Sequence, residues 1–448
     1  MSRATHHPTV VLVGGRVIDP SAGRDGIADL AFRDGRIVDT VDADGPTIEV
    51  DASGWIICPG LVDMHVHLRE PGGEHKETIA SGCRAAVAGG FVAVACMPNT
   101  QPVLDSVDTL DHLRHRAEEV GLCRVMPIAT ITQGRAGGTL TDFAALKKGG
   151  AVAISDDGSG VEDDELMRKA GRLAVETDTL LIQHCEFSDM SAGGVMHAGP
   201  TAQRLGLPGW DPRAEEAMIE RDIELVREIG FRYHAAHIST ARGVELVREA
   251  KATGLPVTTE VCPHHLLLTD EACASMDPNF KMNPPLRSEH DVAACVAGVV
   301  DGTIDCIITD HAPHTEAEKA VGFCDAPFGI VGLETALPLA ARALVEPRRL
   351  SWSGLIERMT VHPRRVLRLT EESSSSKGQL DIQMAADLTI LDPESEWTID
   401  AQRFRSMGRN TPFNDWSVRG QVMATLVGGR LRFLHSQAAE RFATLTNA

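Results

Sequence analysis

Eight short apolar runs, with stretches of helical period between them, limit the middle of this chain to very few folds. The runs fall at 56–62, 91–97, 124–131, 151–155, 180–184, 232–237, 257–261 and 306–309. Residues 77–88, 163–177, 213–229, 244–253 and 289–300 lie between runs and place apolar residues at helical spacing. Near-continuous apolar runs belong to strands buried on both faces, which need crossover helices to cover them. Eight β/α units favour a closed (β/α)8 barrel, an α/β fold, over an open doubly wound sheet.

The two ends read differently. From 10 to 50, short β-type runs (10–13, 28–32, 36–38) alternate with Gly and Asp turns, and the same texture returns at 386–391, 418–420 and 422–433. Both ends therefore predict one small β-sandwich domain packed on the barrel. The expected division is 1–56 for its N-terminal part, 57–370 for the barrel and 371–448 for the rest, with the Ser-rich stretch 371–378 as a linker.

Composition removes several classes of function. The 448 residues are 43% hydrophobic and 24% charged, as in a packed globular protein. A formal charge of −20 excludes a phosphate-backbone partner and an anionic membrane, since both require clustered Lys and Arg. No apolar span approaches the roughly 20 residues of a membrane helix, and no secretory core follows the N-terminus, so a soluble cytoplasmic protein is expected. Ten cysteines are scattered without CxxC pairs, which predicts reduced, mostly buried thiols.

The strand ends carry the chemistry. The first run leads into Asp63-Met64-His65-Val66-His67-Leu68-Arg69, and in extended chain His65 and His67 present both imidazoles to one face. Later runs lead into Asp156-Asp157, His184-Cys185-Glu186, His237 and Asp310-His311. Catalytic groups of barrels gather at this C-terminal rim. Imidazole plus carboxylate suits zinc, with manganese or cobalt as alternatives, and two such ions can share a bridging carboxylate and a bridging hydroxide. Periodicity alone does not choose between Asp156 and Asp157.

Several segments carry a family resemblance: PGLVDMHVHLREPG (59–72), ETIASGCRAAVAGGFVAVACMPNT (77–100), HHLLLTDE (264–271), KMNPPLR (281–287), DGTIDCIITDHAPH (301–314), APFGIVGLETALPL (326–339), NTPF (410–413) and VGGR (427–430). In this order they resemble the dihydroorotases of the bacterial class I type, within the amidohydrolase superfamily, and the similarity spans nearly the whole chain. The resemblance implies two zinc ions per subunit. His65, His67 and Asp310 would hold one, His184 and His237 the other, and Asp157 would bridge them. Many amidohydrolases bridge with a carboxylated lysine, and the AISDDG segment resembles the subclass that uses aspartate.

The same resemblance makes Asp310 the general acid/base of reversible (S)-dihydroorotate hydrolysis to N-carbamoyl-L-aspartate, a step of pyrimidine synthesis. It assigns Arg69, Asn99 and His314 to the substrate carboxylate, and Asn283, Pro327 and Gly329 to the pocket lining. A homodimer, and a complex with aspartate carbamoyltransferase as found within the family, are the implied partners. Two departures stand out: Phe187 replaces a commonly acidic residue, and 315–325 is similar only loosely. The alternatives are a hydantoinase or dihydropyrimidinase on the same barrel and a non-catalytic partner of the transferase. Those enzymes generally use the lysine bridge and lack the Arg69/Asn99/His314 set, and a non-catalytic partner would have lost ligands. His264-His265 reads as structural or pocket-lining, Lys147 and Lys148 as surface charges, and His6-His7, His112, His115, His290 and His362 as surface residues.

Overall fold

The computed structural model describes residues 8–39, 46–369 and 379–446, so 371–378 and His6-His7 lie outside the described residues. The barrel strands are β1 (Leu61–Val66), β2 (Phe91–Cys96), β3 (Arg124–Ala129), β4 (Ala153–Ser155), β5 (Leu181–Gln183), β6 (Tyr233–Ala235), β7 (Val257–Val261) and β8 (Cys306–Ile307). They form one parallel sheet in sequential order. A parallel bridge between Val66 and His311 joins the last strand region to the first and closes the ring.

The crossover helices include α1 (Ile79–Ala88), α2 (Val107–Val120), α3 (Phe143–Lys148), α4 (Asp164–Thr177), α5 (Arg213–Ile229), α6 (Ala241–Ala252) and α7 (Glu289–Asp301). Their boundaries are written in side chains. Thr78, Ser106 and Ser288 build reciprocal capping boxes with Ser81, Thr109 and Asp291, which satisfies backbone N–H groups that have no partner within the helix.

The barrel interior is filled by Val62, Met64, Ala93, Ala95, Ile128, Ala153, Ile182, Ala236 and Ile308, contributed by successive strands or the residues just after them. Burial of each Val, Ile or Met side chain stabilises by about 1.5–3 kcal/mol. Met64, Ile182, Ala236 and Ile308 each precede a rim residue (His65, His184, His237, Asp310) by one or two positions. The packed layer thus supports the rim from below.

Both chain ends meet in a second, eight-stranded sheet. Its order runs from Arg430–Leu434 through Ser417–Val427, Leu388–Thr398, Ile56–Pro59, Thr9–Asp19 and Arg24–Arg33 to Arg36–Val38, with Thr47–Asp51 also paired to Thr9–Asp19. It has its own apolar core, including Leu12, Val50, Ile57, Leu388 and Leu426. One expectation is corrected here: the run at 56–62 is two strands in two sheets. Ile56–Pro59 lies between end strands, and the barrel starts at Leu61 rather than 57. Gly60 makes the passage, where a Cβ would stand 2.2 Å from Val92 Cγ1.

Nine cysteines are buried and Cys324 is exposed. Among the described residues no helix is long and apolar enough to cross a membrane.

Candidate active site

Six side chains from five strand ends converge at the C-terminal rim. His67 Nε2 lies 2.9 Å from Asp310 Oδ1, and His65 Nε2 lies 3.7 Å from the same oxygen. Asp157 sits between the two halves: Oδ1 is 3.3 Å from His65 Nε2 and 3.7 Å from both His184 Nδ1 and His237 Nε2, while Oδ2 is 3.6 Å from His67 Nε2. All six side chains are buried.

The donor set fits cations on three grounds. His65 Nε2 and Asp157 Oδ1 are buried without a hydrogen-bond partner, a costly state that a ligated metal would relieve. His184 Nδ1 faces His237 Nε2 at 3.0 Å, and two imidazole nitrogens so close need a proton or a cation between them. Ligand atoms of His65, His67 and Asp310, and again of His65, Asp157 and His237, lie within 4.8 Å of one another. Burial opposes charge on Asp157 and Asp310, yet the surrounding histidines outweigh it and hold both well below the usual carboxylate range. Both therefore present the anionic form that a cation requires.

Local structure separates the two adjacent aspartates. Asp156 is turned away and tied down by Ile131 N at 2.8 Å, Thr132 N at 3.0 Å and the Thr132 hydroxyl. Asp157 is left to face the histidines. Backbone φ is positive at Arg69 (61°), His237 (30°) and Asp310 (47°), a region that non-glycine residues seldom occupy and that clusters at functional sites.

Several orienting groups were not evident in the sequence. Glu260 of β7 accepts from His65 Nδ1 at 2.6 Å and lies 3.2 Å from His234 Nε2. Glu186 accepts from His184 Nε2 at 2.8 Å and from Asn283 Nδ2 at 3.0 Å. A charged residue inside a buried parallel strand, Val257–Val261, was the available signal for Glu260. Glu186 stands two residues from His184 in the sequence, whereas its second partner, Asn283, is 97 residues away.

The expected substrate binders are placed as follows. Arg69 is half-buried, its Nε donating to Pro313 O at 3.2 Å. Asn99 is engaged by two of the six converging residues, with Oδ1 2.8 Å from His67 Nδ1 and Nδ2 3.3 Å from Asp157 Oδ2. His314 Nε2 donates to Phe328 O at 2.9 Å, leaving Nδ1 buried without a hydrogen-bond partner. Burial, with Arg69, Lys319 and Lys76 adding, pushes His314 down to about 3. Asn283 reaches within 3.3 Å of His184 Nε2. Gly329 has φ 121°, and a Cβ there would meet Ala312 Cβ at 2.8 Å, so no side chain fits. Pro327 turns its carbonyl to Lys319 rather than into the rim. No hydrogen bond links Arg69, Asn99 and His314 to one another among the described residues.

The remaining histidines and lysines follow simpler rules. His264 and His265 are buried, and His265 Nε2 donates to Pro284 O at 3.1 Å. Lys147 is exposed and caps the carbonyls of Thr177 and Asp178. Phe187 packs under Arg221, 5.4 Å from guanidinium to ring centre.

The fold is shared with solved cyclic amidohydrolases. An L-hydantoinase from Arthrobacter aurescens superposes with a TM-score of 0.83 at 25% identity, over 94% of this chain and 95% of that one. A dihydropyrimidinase from Brevibacillus agri gives a TM-score of 0.80 at 20% identity, a likeness of fold alone. Barrel and rim together thus define a metal-dependent cyclic amidohydrolase. The model of the Dihydro-orotase-like family matches residues 54–243. A dihydroorotase from Brevibacillus brevis is 47% identical over 427 residues, 94% of this chain and 98% of that protein. One from Pelotomaculum thermopropionicum is 48% identical over 425 residues, covering 94% and 98%. The chain belongs to the dihydroorotase family.

Proposed function

We propose that this chain interconverts (S)-dihydroorotate and N-carbamoyl-L-aspartate in pyrimidine synthesis, using two zinc ions held by His65, His67, Asp157, His184, His237 and Asp310. The observation that carries this reading is Asp157, a buried carboxylate set among four imidazoles and facing both halves of the ligand set, whose Oδ1 has no hydrogen-bond partner. When bound, the ions supply Lewis acidity at the scissile carbonyl and make water nucleophilic near neutral pH.

The chain's own groups bind, orient and move protons. Arg69 spends Nε on Pro313, which leaves its two Nη groups to grip a carboxylate in two parallel bonds. In this reading His314 Nδ1 and Asn283 contact the ring and fix its rotation. Asp310 Oδ1 faces His67, so Oδ2 is the oxygen suited to accept a proton during attack and return it to the departing ring nitrogen. The positive φ at Asp310 aims that carboxyl into the rim. The same reading treats the barrel and the two-ended sheet as separate domains and the enzyme as a homodimer. Association with aspartate carbamoyltransferase is a further element of it, to be checked by gel filtration with and without the transferase.

Metal analysis and dihydroorotate turnover on one purified sample test the proposal. Two equivalents of zinc and activity lost to a chelator are expected. Dihydrouracil hydrolysed faster than dihydroorotate would overturn the substrate assignment.

A further inference from the structure

Lys319 closes the short helix Glu316–Lys319, in the loop where similarity to the family is loose. Its side chain is buried, and among the described residues it makes no ion pair of 4 Å or less. Its Nζ donates instead to three main-chain carbonyls: Pro327 O at 2.8 Å, Pro278 O at 3.0 Å and Lys281 O at 3.3 Å. A buried ammonium without a counter-ion is costly and persists only when its donors are satisfied. Burial, with Lys281 adding repulsion, pushes its amine down to about 7.

The three carbonyls belong to segments that carry the proposed substrate contacts. Asn283 follows Lys281 by two residues, Gly329 follows Pro327 by two, and His314 heads the loop of Lys319 itself. The same segments are cross-tied. Gly329 N donates to Lys281 O at 3.0 Å, Lys281 Nζ reaches Cys324 O at 2.6 Å, and His314 meets Phe328 O. Lys319 is the one side chain in this set that bonds directly to both flanking segments.

We propose that Lys319 is a positioning residue for substrate binding: it clasps 278–281, 315–319 and 327–329 into one wall and thereby sets Asn283, His314 and Gly329 around the substrate. The identity of that substrate rests on the dihydroorotase reading, whereas the clasp does not. The wall acts in binding, so its loss raises KM more than it lowers kcat.

The test uses the metal-loaded full chain and the variants Lys319→Met and Lys319→Arg. For Lys319→Met, KM for dihydroorotate rises about tenfold or more while kcat stays within about threefold, since displacing binding groups by an ångström is enough for such losses. Bound metal stays at the wild-type level, and amide hydrogen exchange quickens at 278–284 and 326–330. Lys319→Arg, which keeps charge and donors, recovers at least half of the KM change on a logarithmic scale. Wild-type KM and wild-type exchange in Lys319→Met overturn the clasp, as does a loss confined to kcat. Should the methionine variant not fold, Lys319→Gln is read by the same measures. If the wild-type protein turns over no dihydroorotate, the substrate reading fails, and unchanged exchange in the two segments still decides against the clasp.

Discussion

Glu260 Oε1 accepts a 2.6 Å hydrogen bond from His65 Nδ1, and both side chains are fully buried. A carboxylate at Nδ1 fixes the proton there and leaves Nε2, 3.3 Å from Asp157 Oδ1, as the nitrogen that would ligate a cation. Glu260→Gln keeps the shape but removes the charge that makes this imidazole a strong donor to metal. Metal affinity is expected to fall about 10–100-fold, the usual cost of losing such a partner. Chelator competition measures it, and wild-type affinity in the variant would show that Glu260 serves packing alone.

Arg69→Met removes the guanidinium while retaining most of the aliphatic stem. Hydrogen bonds to charged groups contribute about 1.5–3 kcal/mol each, so KM for dihydroorotate should rise by about tenfold to a hundredfold or more. Metal content should not change, because Arg69 bonds to no ligand. Ordinary kinetics in this variant would remove Arg69 from the site.

Asn410 ties the wall from the other side. Its Oδ1 accepts from His314 N at 3.1 Å, and its Nδ2 donates to the carbonyls of Ala312 and Gly329, each at 3.0 Å. Asn410→Ala leaves those buried groups unpaired and should destabilise by about 2–3 kcal/mol, with a raised KM. Denaturant unfolding reads the first effect. A change below about 0.5 kcal/mol would mean that water replaces the amide.

Glu334 titrates out of range. Burial pushes its carboxyl from the ordinary 4.5 up to about 7, against the pull of the Ser406 and Arg405 amides. Between those values the folded chain holds a proton that the unfolded chain has released. The stability from this group is therefore fully present below about 4.5 and lost as the pH rises through about 7. Glu334→Gln cannot titrate, so its stability relative to wild type should improve steadily from about pH 5 to about pH 7.5. A pH-independent difference would contradict the shift.

The barrel was legible because buried parallel strands leave short, largely apolar runs, and the rim candidates were legible because they stand at the ends of such runs, the choice among them resting on resemblance. Residues 56–62 misled for the same reason. Ile56–Pro59 is buried on both faces like a barrel strand, and a single glycine separates it from β1. Asp157 could be told from Asp156 by resemblance but not by period, since the choice rests on Thr132 and Ile131 amides about two dozen residues away. Glu260, Asn410 and Lys319 stayed hidden because their work depends on partners distant in the sequence or set by loop geometry that no periodicity records.

The strand Ile56–Pro59 pairs on one side with Thr9–Asp19 and on the other with Leu388–Thr398. During synthesis on the ribosome, its second edge must wait, exposed, while more than three hundred residues of barrel are made. Completion of that edge is thus timed to the last strands, and chains halted before 388 would carry a bare, adhesive β ribbon that marks them for chaperones or proteolysis.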